Sequence, residues 1–382
     1  MKRPILLYLA LVSCLGRPAI FAQEVDQLPH HVIHPVQPPA GIDADTALAQ
    51  AAAGATIPLW SSSITVGTKS YKYTMVGQNP TTKLTNQTST VPAVLIPVVV
   101  TLSTGEVFDP TKADPLCSPQ GTALSLTQAS PIFGNFDYIV SGIDVGATQY
   151  VDFFQRANFW QFTGPTGVNP NYHVLLGLHT ASALKVSVPA GHSQVIAAEC
   201  GTYANIDTTW WDNYVQKAVL PALAKKGVGP TTLPIFLFYN VVQYQFNFKN
   251  CCILGYHNGL KNSSGTFLTY SVADYDTSQH FTGSGDIAAL SHEIGEWMDD
   301  PTGANPTPPW GHIGQVTTFQ SNLEVGDPLS DSVITVTMPN NVVYHPQELA
   351  FLSWFYHQSP SIGVNGWYSS NGTFTTPAAN CR

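Results

Sequence analysis

Charged side chains are scarce in this chain. They make up 10% of its 382 residues, with 15 Lys and Arg against 24 Asp and Glu. The basic residues form no cluster, and nucleic-acid binding needs a basic patch or stripe, so we expect no nucleic-acid partner. The apolar fraction of 44% is that of an ordinary folded protein and excludes a disordered chain.

Long apolar runs are also missing beyond the N-terminus, so the sequence predicts no transmembrane segment. Residues 1–22 instead have the pattern of a signal peptide. Lys2 and Arg3 form a basic start, an apolar run covers residues 5–15, and Ala22 is a small residue at the expected cleavage point. The sequence therefore predicts an exported protein.

Cleavage before Gln23 would release a secreted chain with 12 basic against 24 acidic side chains, since residues 1–22 hold three basic residues and no acid. An alternative stays open, because the Leu-Val-Ser-Cys stretch that ends at Cys14 resembles a bacterial lipobox. In that case the protein would be lipid-anchored through Cys14.

Cysteine is sparse, and the six cysteines are Cys14, Cys117, Cys200, Cys251, Cys252 and Cys381. No two of them have the Cys-x-x-Cys spacing, so a thiolate zinc site is not predicted. An exported chain meets an oxidising environment, which predicts at least one disulfide bond with the pairing left open. Adjacent Cys251 and Cys252 could close on each other only in a strained ring, so we expect at least one of them to pair at a distance.

The order of the predicted elements gives the fold class. Residues 23–60 are rich in Pro and Ala and are interpreted as a linker or pro-segment. From residue 61 to 382, β-type and helix-type patterns interleave, which predicts an α+β domain with a mixed β-sheet. A helix is expected over residues 285–300, with Pro301 ending it.

That helix contains the residues with a recognisable chemistry. His292 and Glu296 are four residues apart, so they share a helix face with their Cβ atoms about 6 Å apart and can converge on one metal ion. Glu293 is rotated by one position and can reach a water on that ion as a general base. Gly295 costs about 1 kcal/mol inside a helix, which indicates that another part of the chain packs close to it.

Residues 291–301, Ser-His-Glu-Ile-Gly-Glu-Trp-Met-Asp-Asp-Pro, resemble the active-site helix of zincin-type metallopeptidases. They are more similar to a group of secreted proteins in which a His-Glu-x-x-Glu helix is followed by Glu-x-Gly-Asp, a motif found here at residues 324–327. The helix is also distantly similar to the Exordium-like wall proteins of plants. The resemblance covers residues 288–329.

The resemblance implies a zincin-like fold, with a mixed β-sheet, an active-site helix and a C-terminal subdomain across a cleft. The cleft would lie between residues 61–301 and residues 302–382. In zincins an edge strand runs above the metal helix and pairs with the substrate backbone. Residues 266–273 have the sequence position of that strand.

The expected metal ligands are His292, Glu296 and one of Glu324 and Asp327. The resemblance to gluzincin-type sites favours Glu324, with Asp327 accepting from the other ring N–H of His292, but the reverse assignment stays open. Glu296 replaces the second His of zinc peptidases. Two carboxylates weaken the Lewis acidity of the ion and make Mn²⁺ or Ca²⁺ more competitive with zinc.

Several other residues are weaker candidates. His312 is an alternative ligand, and Asp299 is interpreted as a surface acid at the end of the helix. Four further side chains could polarise a substrate carbonyl, although each is more simply a packing residue: Tyr344, His345, His357 and Tyr368.

We therefore expect a secreted hydrolase that uses one divalent metal ion, with zinc preferred, and acts as a metalloprotease on peptide or protein substrates with Glu293 as its base. Two alternatives stay open. The first is a non-catalytic secreted protein with a structural metal ion, which the carboxylate-rich site supports. The second is a cell-wall or carbohydrate-binding protein, suggested by the many aromatic residues and the Exordium-like helix.

Overall fold

The structure is a computed structural model that describes residues 44–281 and 283–379. The predicted signal peptide, the expected start at Gln23, the lipidation alternative at Cys14 and the last cysteine, Cys381, lie outside these residues. Within the described part of the chain, no helix has both the length and the apolarity that crossing a membrane requires.

The helices are short. In chain order the α-helices are α1 (Ala44–Ala52), α2 (Ala123–Gln128), α3 (Tyr150–Asn158), α4 (Trp160–Thr163), α5 (Thr208–Tyr214), α6 (Leu220–Ala224), α7 (Ala288–Asp299) and α8 (Leu352–Phe355). A π-helical turn, Val215–Val219, joins α5 to α6. Helix α1 and the first residues of the first strand lie within residues 23–60, which the sequence suggested were a linker or pro-segment.

The strands are more numerous. The first ten are β1 (Leu59–Val66), β2 (Lys69–Val76), β3 (Thr88–Thr101), β4 (Val107–Phe108), β5 (Phe136–Val140), β6 (Ile143–Thr148), β7 (His173–Thr180), β8 (Leu184–Ser187), β9 (Ser193–Ala197) and β10 (Thr202–Asp207). The others are β11 (Leu233–Tyr239), β12 (Val241–Tyr244), β13 (Cys251–Ile253), β14 (Gly255–Lys261), β15 (Phe267–Tyr275), β16 (Pro306–Ile313), β17 (Val316–Asn322), β18 (Val336–Thr337) and β19 (Val343–Tyr344).

The largest sheet has seven strands, in the order β14-β15-β11-β3-β4, with β7 and β8 also pairing with β3. Strands β3, β11 and β15 are parallel neighbours, whereas β14 is antiparallel to β15. A four-stranded sheet, β13-β12-β10-β9, and four two-stranded hairpins complete the β structure. The predicted α+β class with a mixed sheet is therefore confirmed.

The prediction of an edge strand at residues 266–273 is wrong. All of them but Thr266 lie in β15, which is paired on both sides, with β14 and with β11. The edge is formed by β14, which pairs with β15 alone among the described strands. Alternation of side chains in a sequence indicates the two faces of a strand but not its neighbours in the sheet, so it could not separate an edge strand from an internal one.

Helix α7 packs on β14 and β15, with α3 and β2 on its other sides. Trp297 Nε1 donates to Thr269 Oγ1 of β15 at 3.0 Å, which ties the helix to the sheet. Every residue of α7 is buried, including the acidic ones. The helix therefore has no solvated face.

Two cysteine pairs are placed for disulfide bonds. Cys117 and Cys200 have their Cα atoms 5.7 Å apart, within the usual range for a disulfide. Cys251 is paired with its neighbour Cys252. The expectation that at least one of these two adjacent cysteines pairs at a distance is therefore wrong.

Gly295 lies against Leu349, as its position inside a helix suggested. A Cβ atom built on Gly295 would lie 2.3 Å from Leu349 Cδ1, and the Leu349 side chain is itself fully buried. Leu349 therefore has little room to move aside, and glycine at this position allows the segment after β19 to pack directly on α7.

We predict that Gly295→Ala destabilises the protein by about 1–2 kcal/mol, because the overpacking outweighs the better helix propensity of alanine. In a Leu349→Ala background the same change should cost nothing, and urea unfolding of the four proteins of this cycle measures the difference. Gly229→Ala is the control, since no atom lies within 4 Å of a Cβ built there. Equal costs of Gly295→Ala in the two backgrounds would contradict the packing argument.

Candidate metal centre

A group of buried acids and histidines lies where α7 meets β14 and the chain that follows β17. Its six members, here called the acid–histidine cluster, are His257, His292, Glu293, Glu296, Glu324 and Asp327. Each is at most 4% exposed. Within the cluster, two sets of three residues place their potential ligand atoms within 4.8 Å of one another, so buried His, Glu and Asp groups could hold a metal ion.

The first set, called the His292 group, consists of His292, Glu296 and Asp327. His292 Nε2 lies 3.0 Å from Glu296 Oε1 and 3.6 Å from Asp327 Oδ1. The four-residue spacing on α7 thus brings the first two side chains together, as the sequence predicts. Asp327 joins them from the 3₁₀ turn Asp327–Leu329.

Amide side chains orient this group. Gln347 Nε2 donates to the carbonyl of Gly326 at 2.7 Å, which leaves Gln347 Oε1 facing His292 Nδ1 at 3.1 Å. Gln347 therefore has the position on the far side of the His292 ring that the sequence analysis gave to Asp327. Asp327 instead lies at Nε2, where it accepts hydrogen bonds from Gln315 and, at 2.7 Å, from Gln320.

The second set, the His257 group, consists of His257, Glu293 and Glu296. His257 Nδ1 lies 2.9 Å from Glu293 Oε2 and 3.8 Å from Glu296 Oε2. The sequence analysis missed His257, which lies on the edge strand β14. Gly255 and Gly259 lie two residues to either side of it and therefore on the same face of the strand.

The two glycines explain how the strand comes so close to the helix. A Cβ on Gly255 would lie 3.0 Å from Glu293 Cγ, and one on Gly259 would lie 2.6 Å from the carbonyl oxygen of Pro301. The Gly-x-His-x-Gly pattern was the signal from which His257 could have been predicted. It places one polar side chain between two positions without side chains on the same face of a strand.

Glu324 also belongs to the cluster, next to Glu296. Its carboxyl group shares a hydrogen bond with that of Glu296, and it accepts one from the Asn322 amide. The structure thus brings both open candidates for the third ligand, Glu324 and Asp327, to the same place. Asp327 is the one that forms a set with His292.

Burial controls the protonation of the cluster. Loss of solvation raises the pKa of Glu293, Glu296 and Glu324 well above the usual range, and the neighbouring carboxylates raise all three pKa values further. Burial likewise raises the pKa of Asp327 to about 6 and lowers the pKa of His257 to about 3. A bound divalent cation would reverse the effect on the carboxylates, because it stabilises their charged form.

The weaker candidates of the sequence analysis lie outside the acid–histidine cluster or contact other residues. Asp299 is fully buried, with Gln155 and Asn158 of α3 donating to its carboxylate, so its interpretation as a surface acid is wrong. His312 lies on β16 with its ring against Phe319.

The tyrosine hydroxyls of the C-terminal segment also have partners of their own. Tyr344 donates to the carbonyl of Leu126 and Tyr368 to that of Gln358. His345 pairs with Asp286, the residue two before α7. His357 is half-buried beyond α8.

A polar pocket of about 260 Å³ borders β14. Among its lining residues are Asp212, Gln216, Gln245, Tyr256, His257 and Asn258. The pocket thus lies beside His257, whose side chain is itself only 1% exposed.

No family model, curated protein or solved structure matches this chain.

Gly326, the third residue of the Glu-x-Gly-Asp motif, lies directly against His292. Its backbone N–H donates to Glu296 Oε1 at 3.1 Å, and a Cβ built on it would lie 2.3 Å from His292 Nδ1. Its φ of −85° is open to any residue. Glycine is therefore needed here for the close approach to the imidazole rather than for an unusual backbone conformation.

We predict that Gly326→Ala weakens zinc binding about 10- to 100-fold, because the new methyl group must displace the His292 ring from Glu296 and Asp327. Zinc affinity is measured by competition with a chelating dye. Gly285→Ala is the matched control, since its nearest neighbour to a new Cβ is 3.7 Å away. Unchanged zinc affinity in Gly326→Ala would contradict a role for His292 as ligand.

The metal-free protein should lose stability as the pH rises from about 6 to about 8, the range in which Asp299 and Asp300, whose pKa values burial raises to about 7, lose their protons in the folded chain. Acids with folded-state pKa values raised above 3.8 or 4.5 bind more protons in the folded than in the unfolded chain, so their stabilisation is lost as pH rises through the folded values. The histidines oppose this loss only in part, because the unfolded imidazoles, with a pKa of 6.5, release their last protons in the lower half of the range, while the folded ones, with lowered pKa, are already neutral.

Urea midpoints measured in a chelator at both ends of this range test the expectation. Added zinc should make the loss smaller, since a bound cation keeps the carboxylates charged. A metal-free midpoint that is constant or rises with pH would show that the cluster is not buried as described.

Proposed function

We propose that this protein is a metal-dependent hydrolase that acts on peptides, with a divalent ion at the His292 group. The observation that carries the proposal is the position of Glu293, which lies between α7 and the edge strand β14 beside that group. Its Oε1 atom is buried and makes no hydrogen bond within the described residues. A carboxylate oxygen held in this way has an unused acceptor position for a water that enters the cluster.

In the proposed reaction the metal ion and the protein side chains have different roles. A divalent ion, when bound, would polarise a substrate carbonyl and make a water acidic enough to react near neutral pH. His292, Glu296 and Asp327 would hold it, with zinc preferred and Mn²⁺ a competitor for so carboxylate-rich a set. Glu293 would take the proton of the attacking water, because its carboxylate lies beside the proposed ligands and can accept a proton.

The position of β14 supports a peptide as substrate. A strand with an unpaired edge can bind an extended peptide through its backbone groups, and β14 lies beside α7 with the 260 Å³ pocket next to it. A chain laid along this edge would pass close to His257 and Glu293. Export of the protein would place it among extracellular polypeptides.

A structural metal ion is the second candidate, and the burial of the cluster favours it. Glu293, His292 and Glu296 are 0% exposed, so substrate can reach the ion only if β14 or the segment after β17 moves. Closed sites in which protein groups surround the ion are typical of structural metals.

Glu293→Gln separates the two candidates. We expect it to leave an ion at the His292 group while lowering the hydrolysis of a quenched fluorescent peptide library by a factor of about 10² or more, because an amide cannot accept the proton. Metal content is measured on the same samples. Glu199→Gln, an exposed glutamate beside His280, is the control for the loss of a charge.

Glu296→Ala should lose both metal and activity, together with the rise in melting temperature that the metal produces. If the wild-type protein binds metal and gains stability from it but cleaves no peptide, the structural candidate replaces the hydrolase. If it takes up no metal, both are wrong.

A further inference from the structure

The acid–histidine cluster contains two sets of potential ligands that share one residue. Glu296 belongs to both the His292 group and the His257 group. Its Oε1 lies 3.0 Å from His292 Nε2, whereas its Oε2 lies 3.8 Å from His257 Nδ1. The two oxygens of one carboxylate thus face two different imidazoles. This is the arrangement of a carboxylate that bridges two metal ions.

The backbone and amide contacts assign the ring protons of both histidines. His257 Nε2 lies 3.2 Å from the carbonyl oxygen of Asp300, which can only accept, so the proton is on Nε2 and the lone pair is on Nδ1. Gln347 Oε1 likewise faces His292 Nδ1, which leaves the lone pair on Nε2. Both lone pairs therefore point at carboxylate oxygens.

Two nearby atoms point into the cluster without a hydrogen bond. His292 Nε2 and Glu293 Oε1 are fully buried, and neither makes a hydrogen bond within the described residues, although His292 Nε2 comes within 3.0 Å of Glu296 Oε1. One of these atoms belongs to each group. A buried lone pair that faces a carboxylate is unfavourable unless a proton or a cation lies between them.

The charge of the cluster matches two divalent ions. Its four carboxylates carry four negative charges when ionised, and its two histidines are neutral in the tautomers assigned above. Arg156 is the one Lys or Arg that is buried in the described part of the chain, and its guanidinium donates to the carbonyls of Val145, Pro170 and Tyr172. Two divalent ions would therefore balance all four carboxylates in their ionised form, whereas with one ion two of the four must keep a proton to avoid uncompensated charge in a buried site.

We propose that the cluster is a dinuclear centre in which Glu296 bridges two divalent cations. His292 and Asp327 bind the first, His257 and Glu293 Oε2 bind the second, and Glu324 beside Glu296 completes the carboxylate set. Bridged ions in such centres lie about 3.5–4 Å apart, a distance that one carboxylate spans. The inference rests on the proposed metal site at the His292 group and adds the second ion to it.

The experiment counts the ions with Mn²⁺ as the probe. The full-length exported chain is stripped with a chelator and dialysed against Mn²⁺, and bound metal is measured by elemental analysis. We expect two ions per chain in the wild-type protein and one in His257→Ala, which removes a ligand of the second ion alone. His280→Ala is the matched control and should keep two, since His280 pairs with the exposed Glu199 away from the cluster.

Electron paramagnetic resonance of the wild-type protein gives a readout that needs no variant. Two bridged Mn²⁺ ions are magnetically coupled and give hyperfine lines at half the spacing of an isolated ion, so this result stands even if His257→Ala does not fold. One ion per chain, with the spectrum of isolated Mn²⁺, overturns the dinuclear centre and leaves the proposed single-metal function in place. No bound ion overturns both.

Discussion

The close packing of α7 against the edge strand β14 is the contact on which the rest of the site depends. It is possible because Gly255 and Gly259 have no side chains on the face of β14 that meets the helix, so that a Cβ on either would approach Glu293 or Pro301 within 3.0 Å. His257 lies between these glycines and is thereby directed at Glu293 and Glu296. The same short stretch of β14 thus allows the close approach to the helix and also places His257 at the contact.

Glycines also allow close packing on the other side of the helix. Leu349 packs directly against Gly295, and the ring of His292 packs directly against Gly326. In each case a Cβ atom on the glycine would be too close to its neighbour. The segment after β17 can therefore bring Glu324 and Asp327 to α7. Three separate stretches of chain converge on the cluster, and at each convergence a glycine replaces a side chain that the packing could not accommodate.

Local spacing predicted part of this arrangement. The four-residue interval between His292 and Glu296 fixes their common helix face, and the Glu-x-Gly-Asp motif supplies two further acids close in sequence. His257 and Gln347 were not predicted, because only the fold brings them to the helix. His257 is 36 residues from Glu293 in the sequence, and Gln347 is 55 residues from His292. The edge position of β14 was missed for the same reason, since neighbours in a sheet are not encoded in the pattern of one strand.

The energetics of the cluster explain why a cation, rather than packing alone, is the simplest account of it. Burying a carboxylate without a countercharge is costly, and apolar side chains of similar size in α7 would make a more stable helix interface. Amides of Gln315, Gln320 and Gln347 orient the acids and the His292 ring but neutralise no charge. A cation would supply the missing charge, and its binding energy would then contribute to folding itself. If the proposed ion binds, stability and ion binding are the same property of this site, and the carboxylates that cost most in the metal-free chain are those that would stabilise the loaded one.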